Sequence, residues 1–231
     1  KFPNIKNTPH MFSEEDEVVV TRKIHGTNAR YGIVKKNKLS IFDRVKKFFG
    51  NRYVEYEFVY GSHNVMKGSS LEQGFYGTDV WQEVGKHYNM EQKLWEYIKP
   101  MIDSNSLNAG IIIYGEIYGP GIQGEKYSYG LMNHELVVFD IEYDGVYLKR
   151  DIFEEVATFQ LVLPTVDVLY RGKWNEGIIF GTVLNQYIPG TKVPHEGAVV
   201  SHISGDRHKI SKIINPEYLT FSEKFEVPDS H

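Results

Sequence analysis

A lysine between a buried strand and a glycine is the residue best placed to act as a nucleophile. Residues 23–28 read Lys-Ile-His-Gly-Thr-Asn and directly follow a strand-like run that contains three valines at 18–20. β-Branched residues favour strands, and a glycine permits a tight turn or the close approach of a ligand. A lysine amine attacks phosphorus only when unprotonated, a form that burial and nearby positive charge favour. The hexamer alone predicts either a nucleophilic Lys23 or a solvated lysine at a strand end.

Two glutamates stand in or beside other apolar runs. Glu116 lies within Ile-Ile-Ile-Tyr-Gly-Glu-Ile-Tyr-Gly at 111–119, and Glu196 precedes Gly-Ala-Val-Val at 197–200. Burying a carboxylate is costly unless it is paired, hydrogen-bonded, or bound to a metal or a sugar hydroxyl. Both glutamates are therefore candidate binding residues.

Two more strand-like segments carry an aromatic ring and two lysines. Phe139 lies in the apolar segment 135–141, where the ring could belong to the core or stack on a base. Lys209 and Lys212 lie in the alternating segment 207–214. Lysine, carboxylate, aromatic, carboxylate and lysine on converging strands predict a single polar cleft between sheets.

Apolar periodicity places these residues in a mixed sequence of strands and helices. Strands are predicted at 17–23, 28–34, 38–42, 53–60, 111–119, 135–141, 165–170, 195–201 and 207–214, with turns at Lys36-Asn37 and Asp144-Gly145. Helices are predicted at 79–103 with a break at Asn89, at 151–160 and at 174–184, and a polar loop at 67–78.

The composition is that of an ordinary globular protein. The chain has 231 residues, of which 41% are hydrophobic and 24% charged, with a net charge of -4. It contains no cysteine, which excludes disulfides and thiolate zinc sites. No apolar run approaches the roughly 18 residues of a membrane span, and no signal pattern is present. We expect a cytoplasmic protein without membrane partners.

The segment 44–52, Arg-Val-Lys-Lys-Phe-Phe-Gly-Asn-Arg, is locally basic in this acidic chain. Its cations, with Phe48, Phe49 and the nearby Tyr53, could pair with phosphates and stack on bases. The interpretation that we favour from the sequence is a short amphipathic helix with phenylalanines in the core and solvated lysines.

In order and spacing, these motifs resemble those of the covalent nucleotidyltransferases, in the form found in RNA ligases related to phage T4 RNA ligase 2 and the kinetoplastid editing ligases. The resemblance spans roughly residues 17–219. Motif I corresponds to 23–28, motif III to 114–119, motif IIIa to 138–141 and motif IV to 196–200.

The chain departs from this family's pattern at two positions. Ser62-His63-Asn64 stands where the family usually has Ser-Arg-Asn, whose arginine approaches the nucleotide or an RNA phosphate. Motif V usually has two lysines separated by one residue, whereas Lys209 and Lys212 are three apart. The sequence that follows favours Lys212 as the first lysine with Ile214 at the second position, and Lys209 is the alternative.

The resemblance implies an ATP-dependent RNA ligase that uses Mg²⁺, with Mn²⁺ as a substitute. Lys23 would attack ATP to form lysyl-AMP, AMP would pass to an RNA 5′-phosphate, and a 3′-hydroxyl would seal the strand. The implied residues are Lys23 and Lys212 in catalysis; Lys23, His25, Gly26, Asn28, Glu116, Phe139, Glu196 and Lys212 around the nucleotide; His63 and Lys209 at the RNA; and Glu196 at the metal.

The implied fold is α+β, with two mainly antiparallel sheets enclosing a nucleotide cleft and helices outside. We expect residues 1–231 to form a single adenylyltransferase domain, with no C-terminal accessory domain. Two alternatives stay open at the sequence level. One is a nucleotidyltransferase acting on DNA nicks or RNA caps, and the other is a catalytically silent nucleic-acid-binding module. The sequence identifies no protein partner.

Overall fold

A computed structural model gives the structure of the protein and describes residues 2–63, 65–68, 71, 79–124 and 127–225. The strands are β1 Glu17–Lys23, β2 Thr27–Lys35, β3 Tyr56–Gly61, β4 Met66–Gly68, β5 Gly110–Tyr118, β6 Glu135–Tyr143, β7 Val146–Tyr147, β8 Val168–Lys173, β9 Gly197–His202 and β10 Ile210–Ile214. The α-helices are α1 Ile41–Phe48, α2 Val80–His87, α3 Met90–Asp103, α4 Arg150–Glu155, α5 Glu176–Gly181 and α6 Pro216–Phe225.

Two antiparallel sheets organise the described residues. The smaller sheet has the strand order β10-β9-β1-β8, and the larger has the order β4-β3-β2-β5-β6-β7. β1 lies in the smaller sheet and β2 in the larger one, so the three residues 24–26 cross from one sheet to the other. This arrangement confirms the predicted α+β fold of two antiparallel sheets.

The burial of β1 and β2 explains their different sequence patterns. Val18, Val19 and Val20 are all fully buried, because β1 lies between β9 and β8 with side chains covered on both faces. A strand buried on both faces is a continuous apolar run. β2 alternates instead: Tyr31 and Ile33 enter the core, as Ala29 does, while the intervening residues face away from it.

The main core lies between the larger sheet and helices α2 and α3. Val84, Leu94, Ile98 and Ile102 form the buried helical stripe that the periodicity predicts. Trp81 and Trp95 pack against this core and are partly buried, and Asn89 separates the helices in a left-handed conformation with φ 51°. The predicted helices and their break are confirmed.

The predicted strand at 38–42 is wrong, because that segment starts a helix. Ser40 caps α1 by accepting a hydrogen bond from the Asp43 backbone N–H, and the Asp43 carboxylate accepts one from the Ser40 backbone N–H. This reciprocal capping fixes a helix start. β2 consequently pairs with β3 rather than with a hairpin partner after residues 36–37.

Several predicted boundaries also shift. Arg52–Glu55 form a 3-10 turn before β3, and the helix predicted at 151–160 is α4 followed by a π-helical turn at Val156–Gln160. The strand predicted at 165–170 lies instead at Val168–Lys173, and the helix at 174–184 shortens to Glu176–Gly181. Asn64 and most of the predicted loop at 67–78 lie outside the described residues.

None of the helices in the described ranges is both long enough and apolar enough to cross a membrane.

An ion pair ties the N-terminal segment to the turn that joins β9 and β10. Asp16 Oδ1 lies 2.5 Å from Lys209 Nζ, and the Asp16 carboxylate also accepts a hydrogen bond from the Ser13 backbone N–H. These two hydrogen bonds lower the pKa of Asp16 to about 2 from its usual 3.8. Because the folded pKa is depressed, this stabilisation is complete only above the unfolded pKa and is lost as the pH falls toward 2.

We expect Asp16→Asn to lower the free energy of unfolding by about 1 kcal/mol at pH 7, the upper range for a partly exposed pair. Urea unfolding of both proteins at pH 7 and pH 2.5 measures the difference, which should shrink at the lower pH. Lys209→Gln should give a similar loss, and the double variant should lose little more. Equal differences at both pH values would contradict the ion-pair interpretation.

Candidate active site

A cavity of about 650 Å³ opens between the two sheets. Seven of the residues singled out in the sequence line it: Lys23, Gly26, Asn28, His63, Glu116, Phe139 and Lys212. Residues more than 180 positions apart in the chain thus meet in one cleft. The cleft predicted from the sequence pattern therefore exists, and its lining includes both lysine and carboxylate groups.

Lys23 stands at the end of β1 and contacts the carboxylate that precedes β9. Lys23 Nζ lies 2.6 Å from Glu196 Oε1, with the Lys23 side chain 20% exposed and that of Glu196 1% exposed. The strand register causes this meeting, because Lys23 pairs with Gly197 across the β1–β9 ladder. The amine is held at the cleft wall by a carboxylate that solvent barely reaches.

His25 lies behind Glu196 and does not line the cleft. Its side chain is fully buried, with Nδ1 3.4 Å from Glu196 Oε2 and 3.3 Å from Tyr218 Oη. The His25 backbone N–H donates to Tyr129 Oη at 2.9 Å, and the ring meets that of Tyr127 edge-on with 4.5 Å between centroids. This packing makes His25 a support for Glu196, whereas the sequence pattern suggested direct contact with the nucleotide.

Two glycines are required by close backbone approach. A Cβ at Gly26 would lie 2.3 Å from the Ile117 carbonyl oxygen and 2.9 Å from Glu116 Cγ. Gly197 has φ +151°, and a Cβ there would lie 2.0 Å from the Ile213 carbonyl oxygen. Only glycine fits either contact, so these positions set how closely Lys23 and Glu196 approach Glu116 and β10.

Glu116 faces the cleft from β5, directly opposite Asn28 on β2. Burial, and to a smaller extent the nearby Glu196, raises the pKa of the Glu116 carboxyl to a net value of about 8. The Lys23 ammonium and a hydrogen bond from the Gly26 backbone N–H partly oppose this rise in pKa. At neutral pH the protonated form of Glu116 is therefore favoured, so that it can donate as well as accept a hydrogen bond.

The two candidate motif V lysines have different surroundings. Lys212 projects from β10 into the cleft, opposite Val199 on β9. Lys209 does not line the cleft and is paired with Asp16. Ile214, at the second motif V position, is 7% exposed and packs with Tyr127, Ile188 and Tyr218. The structure thus places Lys212, and not Lys209, at the site.

Phe139 is partly exposed at the cleft wall rather than buried in the core. Its neighbour Asp140 bonds to Arg207, whose guanidinium lies 3.9 Å from the centroid of the Tyr147 ring. Arg207 and Tyr147 line the cleft but carry no signal in the sequence, because residues 60 positions apart meet only through the fold.

Arg30 is a further cleft residue that the sequence analysis missed. Arg30 Nη2 lies 2.7 Å from His63 Nδ1, and the guanidinium carbon lies 5.1 Å from the Tyr114 ring centroid. Because a guanidinium only donates, His63 Nδ1 must accept, which fixes the ring as the Nε2–H tautomer. Alternation along β2 was the available signal, since residues 28 and 30 of one strand share a face.

The oxygen atoms of the cleft suit a hard cation carried by phosphates. Within the described ranges, no three His, Asp or Glu side chains are grouped so as to hold a metal by themselves. Mg²⁺ typically keeps several waters and takes one or two carboxylates plus substrate phosphates. Asn28 lines the cleft, and its buried Oδ1 has no hydrogen-bond partner among the described residues. The Glu196 carboxylate contacts Lys23 at the cleft wall, so these two side chains provide ligands of this type.

The raised pKa of Glu116 predicts a pH-dependent cost to folding. In the unfolded chain the carboxyl ionises near pH 4.5, whereas in the folded protein it holds its proton until about pH 8. Ionisation therefore favours the unfolded state increasingly between these values. We expect Glu116→Gln, relative to the unmodified protein, to gain at least about 1 kcal/mol of stability between pH 4.5 and pH 8.5.

Urea unfolding at the two pH values measures this gain, with Glu223→Gln on the exposed face of α6 as the control. The same stability difference at both pH values would mean that Glu116 titrates normally.

Both a protein-family model and solved structures match this chain. The family model described as RNA ligase matches residues 16–214. A search of curated proteins finds no matching relative. Among solved structures, Naegleria gruberi RNA ligase is similar: a lysine mutant with AMP and Mn has 15% sequence identity and a TM-score of 0.68 over 96% of this chain. The same ligase with PPi has 16% identity and a TM-score of 0.65 over 97% of this chain.

The chain spans 57% of the length of each of these two Naegleria structures. At this level of identity the structural likeness establishes the fold, while the family model covers most of the sequence and agrees with the motifs. The chain therefore belongs to the RNA ligase family.

Proposed function

We propose that this protein is an ATP-dependent RNA ligase that works through a covalent lysyl-AMP intermediate. The observation that carries the proposal is the Lys23–Glu196 contact of 2.6 Å at the wall of the cleft, in a chain of the RNA ligase family. The solved Naegleria gruberi ligases hold AMP or ATP with Mn, which supports the choice of nucleotide.

In the first step, Lys23 Nζ attacks the α-phosphorus of ATP. A nitrogen–phosphorus bond forms, the bond from the α-phosphorus to the bridging oxygen breaks, and pyrophosphate leaves. The ammonium must lose a proton before attack, and Glu196 Oε1 is the carboxylate in contact with it. Bound Mg²⁺ would neutralise phosphate charge, with Glu196 as its ligand from the protein and Asn28 near its water shell.

The other cleft residues would bind and orient the nucleotide. Lys212 on β10 faces the same cleft as Lys23 and would stabilise charge that develops on the α-phosphate. Glu116 would hydrogen-bond the ribose hydroxyls, and its hydrogen bond from Gly26 fixes it beside the nucleophile. Phe139 would stack on adenine from its partly exposed position.

In the later steps the AMP passes to an RNA 5′-phosphate, and a 3′-hydroxyl displaces AMP to seal the strand. An anionic end that enters the cleft needs a cation, which the histidine at position 63 supplies poorly. Arg30 is well placed for this role, because it is held against His63 at 2.7 Å and its buried Nε has no partner within the described residues. Arg30 would therefore contact the RNA phosphate, and His63 would position it.

Lys23→Arg tests the nucleophile while preserving the ion pair with Glu196. A guanidinium stays protonated and cannot attack phosphorus, but it compensates the buried carboxylate that alanine would leave unpaired. After incubation with ATP and Mg²⁺, intact mass should show one added AMP in the unmodified protein and none in Lys23→Arg. Lys209→Ala is the matched control and should keep the adduct. Labelling of a folded Lys23→Arg protein would reject the assignment.

Arg30→Ala tests the RNA step separately from the nucleotide step. We expect self-adenylylation to change less than threefold, whereas AMP transfer to a 5′-phosphorylated RNA should fall at least about tenfold, as for the loss of a charged hydrogen bond. A single-turnover assay with pre-adenylylated protein measures transfer directly, and a 5′-phosphorylated DNA strand of the same sequence reports acceptor choice. Equal loss in both steps would place Arg30 at the nucleotide instead.

A further inference from the structure

Helix α1 exposes an apolar face that no other part of the described chain covers. Ile41, Phe42, Phe48 and Phe49 are each 79% exposed or more, and Val45 is 50% exposed. Their spacing of i, i+1, i+4, i+7 and i+8 puts all five on one side of a helix. The preferred sequence interpretation, with these phenylalanines in the core, is therefore wrong. A contiguous exposed apolar surface of this kind marks an interaction site.

The opposite side of α1 is fixed to the protein by polar contacts. Lys36 Nζ lies 3.2 Å from Asp43 Oδ2, and Lys47 Nζ lies 2.6 Å from Glu55 Oε1. The capping box at Ser40 holds the first turn. The helix is thus positioned without use of its apolar side chains, which remain available for a ligand.

Two cations border the apolar face. At 100° per residue, Arg44 lies at one edge of the stripe and Lys46 at the other. Neither forms an ion pair in the part of the chain that the structure describes. Residues 35–52 contain seven Lys or Arg and one Asp, a net charge of +6, whereas the whole chain carries -4. The bordering charge favours an anionic occupant.

We propose that the face formed by Ile41, Phe42, Val45, Phe48 and Phe49, with Arg44 and Lys46 at its edges, binds an unpaired segment of the RNA substrate. Bases would stack on the phenylalanine rings while phosphates contact the two cations. An unpaired segment is required because bases in a helix are already stacked. Tyr53 takes no part, since it packs against the core and its hydroxyl bonds to Asp103. This inference rests on the proposed function.

The length of β2 determines how long an RNA must be to contact both the cleft and the α1 face. Arg30 is the last β2 residue that lines the cleft, and β2 ends at Lys35, five residues or roughly 17 Å further on and six residues before α1. At the roughly 3.4 Å per nucleotide of a stacked strand, this distance takes about five nucleotides, and an unpaired strand that is stretched covers it with fewer. A dinucleotide whose 5′-phosphate is held at the cleft therefore does not reach the α1 face.

Fluorescence anisotropy with two 5′-phosphorylated, unstructured RNAs of 2 and 20 nucleotides tests the proposal. In the combined variant F42A, F48A and F49A, we expect affinity for the 20-mer to fall tenfold or more and affinity for the dinucleotide to stay unchanged. Arg44→Gln with Lys46→Gln should make the slope of log K against log salt for the 20-mer shallower by about 1.4. Phe159→Ala, at a ring 78% exposed on another element, is the matched control and should change nothing.

The adenylyl adduct is measured on every variant in parallel and should be unaffected. Loss of 20-mer affinity in a protein that forms no adduct would overturn the proposed function and leave the RNA surface standing. Unchanged 20-mer affinity in the triple phenylalanine variant overturns the inference. In that case, lost sedimentation with phosphatidylserine vesicles would assign the face to lipid, and lost self-association would assign it to a second copy of the chain.

Discussion

The contact between Lys23 and Glu196 depends on most of the structure that surrounds it. A carboxylate that is 1% exposed must be compensated, because an uncompensated buried charge costs several kcal/mol. Glu196 finds its counter-charge only when β1 and β9 pair in the register that sets Lys23 opposite Gly197. Pairing of β1 with β9 in this register therefore forms the smaller sheet and also brings Lys23 to Glu196. His25 completes the arrangement from behind, within a cluster of buried tyrosines.

The crossing between the two sheets brings the second carboxylate to the first. Residues 24–26 leave the smaller sheet and enter the larger one, and Gly26 passes so close to β5 that no side chain fits. Its backbone N–H then bonds to Glu116, whose carboxyl is buried enough to hold a proton near neutral pH. The site thus contains one carboxyl, Glu196, whose pKa is lowered by the hydrogen bond with His25 and by Lys23, and a second, Glu116, that is kept largely neutral. When the pKa values of two neighbouring carboxyl groups diverge in this way, the two groups can take different chemical roles in one site.

Charge is distributed unevenly over the molecule. The chain is acidic overall, yet residues 35–52 are strongly basic and carry an apolar face that is not used for folding. Helix α1 is held by a capping box and ion pairs, which stabilise it while leaving the phenylalanines exposed. An acidic body with a local cationic surface limits indiscriminate binding of polyanions, while a defined patch can still bind one. β2 connects the cleft to α1, so the two RNA contacts that we propose lie along one strand.

Sequence alone determined most of the buried strands, the break at Asn89 and the order of the motifs, because these depend on local periodicity and on residue types with a narrow chemical use. The two-sheet class followed from the resemblance to a known family. It did not determine which lysine of the last strand enters the cleft, since that depends on the pairing of Lys209 with Asp16, almost 200 residues away. Arg30 beside His63, the position of His25 behind Glu196 and the exposure of Phe48 were likewise decided by tertiary structure. Periodicity predicts that a helix has an apolar side, but only the packed fold shows whether another part of the protein covers that side.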